Sequence, residues 1–131
     1  FAFFGAVHDA IPSPVRLEPV LADIEALNER AVADVDPLPV TKLSLPALAR
    51  VLDRYAVLPS GSALGFGCGP LVVCRAAASF GSLDELAGAR VAIPGRHTTA
   101  FLLLSSLGPA PREVVPMRFD RVMAAVASGE V

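Results

Sequence analysis

Apolar residues recur along the chain at two spacings, which predict helices and strands in alternation. Between residues 23 and 32, the apolar positions Ile24, Leu27 and Ala31 are three or four apart, which indicates one face of an amphipathic helix. Short continuous apolar runs instead favour strands that are buried in a sheet. We predict strands at residues 15–20, 40–43, 71–74, 90–93 and 114–117, and extended segments at 55–58 and 63–66.

Further helices follow from apolar spacing and from the residues that commonly start and end helices. Ser44 is placed as the N-cap of a helix that reaches Leu52. The segment 98–107 is almost wholly apolar, which predicts a buried helix. The remaining predicted helices cover residues 1–10, residues 83–86 and a final amphipathic segment that ends near Gly129.

Strands that alternate with helices every twenty to thirty residues are typical of an α/β protein with a mainly parallel sheet. The pattern begins at Phe1 within a predicted helix and stops at Val131, where a further strand is expected. We therefore expect the chain to be part of a longer protein, with some strands of its sheet missing.

The composition of the chain argues against some classes of partner. Hydrophobic residues make up 53% of it, charged residues 18%, and the net charge is −2, with no basic run for nucleic acid to bind. Because no apolar stretch reaches the roughly 18 residues that span a bilayer, we also expect no membrane segment. Two cysteines without CxxC spacing, Cys68 and Cys74, are interpreted as reduced thiols in a cytoplasmic protein.

Two strand-to-helix junctions are candidates for ligand binding. Thr98 and Thr99 open a helix directly after a strand and the tight turn at Gly95, and Ser44 opens another. The unpaired N–H groups and partial positive charge of a helix N-terminus favour a carboxylate or phosphate. At each junction the alternative is that the hydroxyl only caps its helix. Two such junctions in one α/β chain favour binding, because ligands lie beyond the carboxyl ends of parallel strands.

Other motifs are weaker indications of chemistry. The glycine-rich residues 65–70 precede a strand, whereas a dinucleotide-binding loop must open a helix. They line a cleft or form an ordinary turn. His97 is beside the proposed anion site and either contacts ligand or is an exposed loop histidine, and His8 is expected at the surface. We assign no metal site, no Ser-His-Asp arrangement and no base for Cys68.

Several segments, taken together, resemble the 1,4-dihydroxy-6-naphthoate synthases of the futalosine route to menaquinone. In order, they are residues 17–20, 23–28, 41–44, 55–58, 60–65, 67–71, 91–100, 119–120 and 129–131. The resemblance implies a type II periplasmic-binding-protein-like fold, a three-layer α/β architecture whose two lobes enclose the ligand. Residues 1–75 would then form most of the first lobe without its first strand, and residues 76–131 the start of the second.

The same resemblance implies a carbon–carbon lyase that converts cyclic de-hypoxanthine futalosine into 1,4-dihydroxy-6-naphthoate and dihydroxyacetone, with no cofactor or metal. By position, Ser44, Gly69, Thr98 and Thr99 match cleft residues that hold the small-molecule carboxylate substrate. The catalytic histidine is expected beyond Val131, so no catalytic residue is assigned here and residues 1–131 alone are expected to be inactive. The alternatives are chorismate dehydratase of the same pathway and a non-catalytic solute-binding protein.

Overall fold

The computed structural model describes residues 8, 14, 16–78 and 80–131 of the chain. In chain order, its elements are α1 (Ile24–Val32), α2 (Leu45–Leu48), a 3-10 helix (Leu83–Gly88), β1 (Arg90–Ile93), α3 (Thr99–Leu107), β2 (Glu113–Pro116) and α4 (Phe119–Ser128). The helix predicted over residues 1–10 lies, apart from His8, outside the described residues.

A two-stranded parallel sheet confirms the α/β class. β1 pairs with β2 in a register that places Arg90 opposite Glu113 and Ile93 opposite Pro116. The guanidinium of Arg90 lies 3.0 Å from the Glu113 carboxylate and also donates to the backbone oxygen of Glu130 at 2.9 Å. One side chain therefore joins both strands to the end of α4.

The helices around this sheet follow the predicted pattern closely. α3 connects the two strands, as parallel pairing requires, and α4 packs against β1. α4 ends at Gly129, which takes the left-handed conformation at φ 80° that residues other than glycine rarely adopt. The strands predicted at 90–93 and 114–117 and the helices predicted at 98–107 and before Gly129 are thus present within one residue of their expected bounds.

α1 confirms the amphipathic helix predicted over residues 23–32. Asp23 caps it, because its side chain accepts a hydrogen bond from the backbone N–H of Glu25 at 3.0 Å. The buried positions of α1 are Glu25, Asn28 and Ala31, of which only Ala31 was assigned to the buried face. α1 packs against α2, and α2 packs against α3.

Three predicted strands are wrong where the structure describes them. Residues 16–20, 40–43 and 71–74 carry no strand, and Val15 lies outside the described residues. The segment 71–74 was also expected to be buried, but Leu71 is 85% exposed. An apolar run forms a strand only beside another strand that completes its hydrogen bonds, and in the described residues the sheet has only β1 and β2.

Two helices differ from their predictions in length or burial. α2 ends at Leu48, although turns continue beyond it and still bury Val51 completely. The apolar helix α3 was expected to be buried, yet none of its residues is, and Leu107 is 73% exposed. Large apolar side chains are exposed elsewhere too, including Leu21, Leu45, Leu64, Phe66, Leu71 and Phe119. An apolar helix needs a covering layer, which the described residues do not supply for α3.

Asp23→Ala tests whether the N-cap of α1 contributes to stability. Loss of the hydrogen bond to the Glu25 amide should lower the free energy of unfolding of the full-length protein by about 1 kcal/mol. Urea denaturation measures the change, and Asp53→Ala, which removes an exposed carboxylate outside any helix, serves as the control. Equal stabilities of the two variants would show that the cap contributes nothing.

Candidate functional site

The side chain of Asn28 connects the two strand-to-helix junctions that the sequence singles out. It is fully buried, at 0% exposure. Its Oδ1 accepts a hydrogen bond from the backbone N–H of Ser44 at 2.9 Å. The two hydrogens of its Nδ2 are shared among three acceptors, Ser44 Oγ at 3.1 Å, Glu25 Oε2 at 3.2 Å and the backbone oxygen of His97 at 3.4 Å. We call Glu25, Asn28, Ser44 and the backbone of His97 the Asn28 cluster.

Glu25, which belongs to the Asn28 cluster, also holds the second strand-to-helix junction, the one between β1 and α3. It is 8% exposed, and its Oε1 accepts a hydrogen bond from the backbone N–H of His97 at 2.8 Å. Its carboxyl group also packs against Gly95, where a Cβ atom would lie 2.1 Å from the Glu25 Cδ. Only a glycine at position 95 leaves room for this carboxylate, so the turn after β1 is shaped to receive α1.

Local sequence explains why Glu25 and Asn28 face the same way. Residues three apart on a helix lie on one face, and the Asp23 cap starts α1 so that Glu25 falls in its first turn. A buried carboxylate and a buried amide are costly unless hydrogen bonds satisfy them. In the Asn28 cluster both groups are satisfied, by each other and by the backbone of the two junctions.

Thr98 has the capping role that was the alternative to ligand binding. It is 5% exposed, its hydroxyl donates to the backbone oxygen of Gly95 at 2.7 Å, and it accepts from the backbone N–H of Phe101 at 3.3 Å. Thr99 is the first residue of α3 and is half-buried. In the described part of the chain, no acceptor faces the backbone N–H groups of Thr99 and Ala100. Among the described residues, these two amides and the Thr99 hydroxyl therefore have no hydrogen-bond partner within the protein.

Ser44 precedes α2 as predicted, but its hydroxyl does not cap that helix. Instead the Ser44 oxygen accepts from Asn28, and among the described residues nothing accepts its hydroxyl hydrogen. Since Ser44 is partly exposed, this hydrogen is open to a ligand. The capping alternative therefore does not hold for Ser44.

Gly69 is not brought to the Asn28 cluster by any contact in the structure. It lies in the exposed segment 56–77, and a Cβ atom built on it would meet nothing within 4 Å. In the same loop the Cys68 sulfur packs against Gly65, where a Cβ atom would lie 2.1 Å away. Cys68 and Cys74 are both free thiols, as predicted. A substrate contact for Gly69 stays a prediction.

His97 takes part in the Asn28 cluster through its backbone. The backbone of His97 donates to Glu25 and accepts from Asn28, and its side chain is half-buried. His8 is exposed. Across residues 8, 14, 16–78 and 80–131, no three potential metal ligands gather into a metal-binding group. No helix in the same residues is long and apolar enough to cross a bilayer.

A cavity of about 880 Å³ lies beside the Asn28 cluster but does not include Ser44, Thr98 or Thr99. Its charged lining residues are Asp23, Glu25, Glu29, Arg96, Arg118 and Asp120. Carboxylates outnumber guanidinium groups, so the cavity disfavours an anionic ligand.

Glu25 and Asn28 are the site residues that sequence reasoning missed, because neither belongs to the apolar positions Ile24, Leu27 and Ala31 that define the predicted buried face of α1. A signal was present. Asparagine lowers helix stability and favours caps and turns, so an asparagine in the middle of a helix suggests a specific partner. Two partners of Asn28, Ser44 and His97, lie 16 and 69 positions away along the chain, which spacing within α1 cannot indicate.

The geometry described above can be compared with known proteins. The sequence profile of a family described as menaquinone biosynthesis matches residues 1–131. The chain belongs to this family. It is 53% identical over its whole length to a 1,4-dihydroxy-6-naphthoate synthase of Thermus thermophilus, and 38% identical to one of Streptomyces coelicolor. These family matches bear out the resemblance inferred from the sequence.

The chain spans about half the length of its relatives. It covers 45% of the Thermus protein and 46% of the Streptomyces protein. A crystal structure of a protein from Archaeoglobus fulgidus matches 98% of this chain with a TM-score of 0.84 and 40% sequence identity, and 46% of that protein is covered. The fold of this chain therefore corresponds to one part of larger proteins.

Gly95→Ala tests the close contact between the turn after β1 and Glu25. The new methyl group must displace the Glu25 carboxylate, so the free energy of unfolding of the full-length protein should fall by about 2 kcal/mol or more. Thermal denaturation measures the loss. Gly88→Ala is the matched control, because a Cβ atom at that position would meet nothing within 4 Å. Wild-type stability in Gly95→Ala would contradict the packing described.

Proposed function

We propose that this chain is part of a 1,4-dihydroxy-6-naphthoate synthase, which converts cyclic de-hypoxanthine futalosine into 1,4-dihydroxy-6-naphthoate and dihydroxyacetone. The observation that carries the proposal is the Asn28 cluster, which brings Ser44 and the start of α3 together. Two relatives that bear this name match the whole chain and support the assignment. The reaction would be that of a carbon–carbon lyase.

For the architecture, we propose a type II periplasmic-binding-protein-like fold with two lobes. Residues 1–75 would form most of the first lobe and residues 76–131 the start of the second. The exposed apolar side chains of α3 and of the segment 56–77 support this, because groups of large exposed apolar side chains commonly mark surfaces that contact further structure. In this arrangement the Asn28 cluster would join the lobes, since Glu25 and Asn28 belong to the first and His97 to the second.

The proposed substrate contacts use the groups that the structure leaves open. Ser44 would donate its hydroxyl hydrogen, while Thr99 and the first amides of α3 would hold the carboxylate at the positive end of the helix. Thr98 would contribute by shaping the start of α3, since its hydroxyl is already engaged. Gly69 would contact the ligand from the glycine-rich loop to which it belongs.

The proposed chemistry is proton removal followed by a retro-aldol-like ring opening. A histidine base would begin the reaction, and oriented hydroxyl and N–H groups would stabilise the developing negative charge. We assign that base to neither His8 nor His97, so residues 1–131 alone would bind without turnover. A cytoplasmic location is in keeping with the free thiols of Cys68 and Cys74.

A substrate comparison separates the candidate functions. The full-length protein should form 1,4-dihydroxy-6-naphthoate from cyclic de-hypoxanthine futalosine and should leave chorismate unchanged. Liquid chromatography with mass detection follows both reactions. Turnover of chorismate alone would favour the dehydratase, and binding without turnover of either compound would favour a solute-binding protein.

The two threonines at the start of α3 should respond differently to truncation. Thr99→Ala should raise KM for the substrate roughly tenfold, because it removes a hydroxyl that is open to the ligand. Thr98→Ala should chiefly lower the free energy of unfolding, by about 1 kcal/mol, because it removes a helix cap. Steady-state kinetics and urea denaturation of the full-length variants distinguish these effects. An unchanged KM in Thr99→Ala would exclude a ligand contact by its hydroxyl.

A further inference from the structure

We infer that Asn28 and Glu25 are positioning residues that set the direction of the Ser44 hydroxyl, so that Ser44 presents its hydrogen to a ligand and acts toward it as a hydrogen-bond donor. The identity of that ligand rests on the proposed function. The direction itself rests on hydrogen bonds among buried and half-buried groups of the Asn28 cluster.

The orientation of the Asn28 amide is determined by its neighbours. The backbone N–H of Ser44 can only donate, so the oxygen of the amide must face it, at 2.9 Å. The amide nitrogen then faces Ser44 Oγ at 3.1 Å and Glu25 Oε2 at 3.2 Å. A flipped amide would place its oxygen against the Glu25 carboxylate and its N–H groups against the Ser44 N–H, which is unfavourable at both ends.

The orientation of the amide determines what Ser44 can offer. The amide nitrogen of Asn28 carries hydrogens and no acceptor, so the Ser44 oxygen must accept from it. The hydroxyl hydrogen of Ser44 therefore points away from the cluster, and Ser44 is partly exposed. A hydroxyl hydrogen directed in this way donates to a carboxylate or carbonyl oxygen of a ligand.

Glu25 keeps the amide in this orientation and ties it to the second junction. One carboxylate oxygen accepts from Asn28 and the other from the backbone N–H of His97, at 2.8 Å. Gly95 packs against the carboxylate and limits its movement on that side. Ser44 and the start of α3 are thus held in a fixed relation by two side chains that need not touch the ligand.

Exchanging the two functional groups provides the sharpest test. The double substitution Glu25→Gln with Asn28→Asp keeps one carboxylate and one amide in the cluster, with the same sizes and net charge. The introduced aspartate still accepts from the Ser44 N–H, and the introduced glutamine still accepts from the His97 N–H. The long contact of the Asn28 amide with the His97 backbone oxygen, at 3.4 Å, is lost in the exchange. The atom that faces Ser44 Oγ changes from a donor to an acceptor, so the hydroxyl turns inward and no longer donates to a ligand.

In the full-length protein with cyclic de-hypoxanthine futalosine, the exchange and Ser44→Ala should each lower kcat/KM roughly 10- to 100-fold, mainly through KM. Their combination should lose no more than either alone, because both remove the same donor. The melting temperature of the exchange variant should stay within about 3 °C of the unmodified protein. Ser106→Ala, an exposed serine on α3 whose hydroxyl donates to Leu102, is the control and should keep full activity.

An exchange variant with activity within about twofold of the unmodified protein, or losses that multiply in the combined variant, would overturn the inference. A purely structural role for Asn28 and Glu25 predicts such multiplication together with a lower melting temperature. If the unmodified protein does not turn over the substrate, the proposed function fails. The inference is then decided by neutron diffraction, which should show the Ser44 hydroxyl deuterium directed away from Asn28 in the unmodified protein. A deuterium directed at Asn28 would refute it.

Discussion

The arrangement of this chain depends on the hydrogen bonds that the side-chain amide of Asn28 makes. It joins α1 to the loop before α2 and, with Glu25, to the turn between β1 and α3. Few apolar side chains are fully buried in the described residues, and Asn28 itself is among the largest groups with no exposure. A polar group with all its hydrogen bonds made specifies one geometry more strictly than apolar packing does. The junctions are therefore held by directional bonds.

The part of the fold that local patterns determine could be predicted from the sequence. α1, β1, α3, β2 and α4 follow from apolar spacing, a cap at Asp23 or Thr98, and the glycine at position 129. The strand predictions that were wrong have a different cause. Residues 71–74 have the composition of a strand, but strand formation depends on a partner elsewhere in space, and local composition carries no information about that partner.

The candidate site also contains residues that a local sequence signal indicates and residues that it does not. Ser44 and Thr99 could be found because hydroxyl residues at strand-to-helix junctions are a local signal. The roles of Glu25 and Asn28 could not, because a charged residue and an amide on a helix usually face solvent. Their burial follows from the glycine at position 95 and from contacts with residues far along the chain, which only the folded structure brings together.

The way Glu25 is held has a consequence for how the molecule responds to ionic strength. Among the described residues, the hydrogen bonds to its carboxylate come from an amide and a backbone N–H, whereas the ion pairs of Arg54 with Asp34 and of Arg90 with Glu113 involve partly exposed side chains. Mobile ions screen exposed pairs far more than buried groups. Added salt therefore weakens the periphery of the chain while the junction at its centre keeps its geometry.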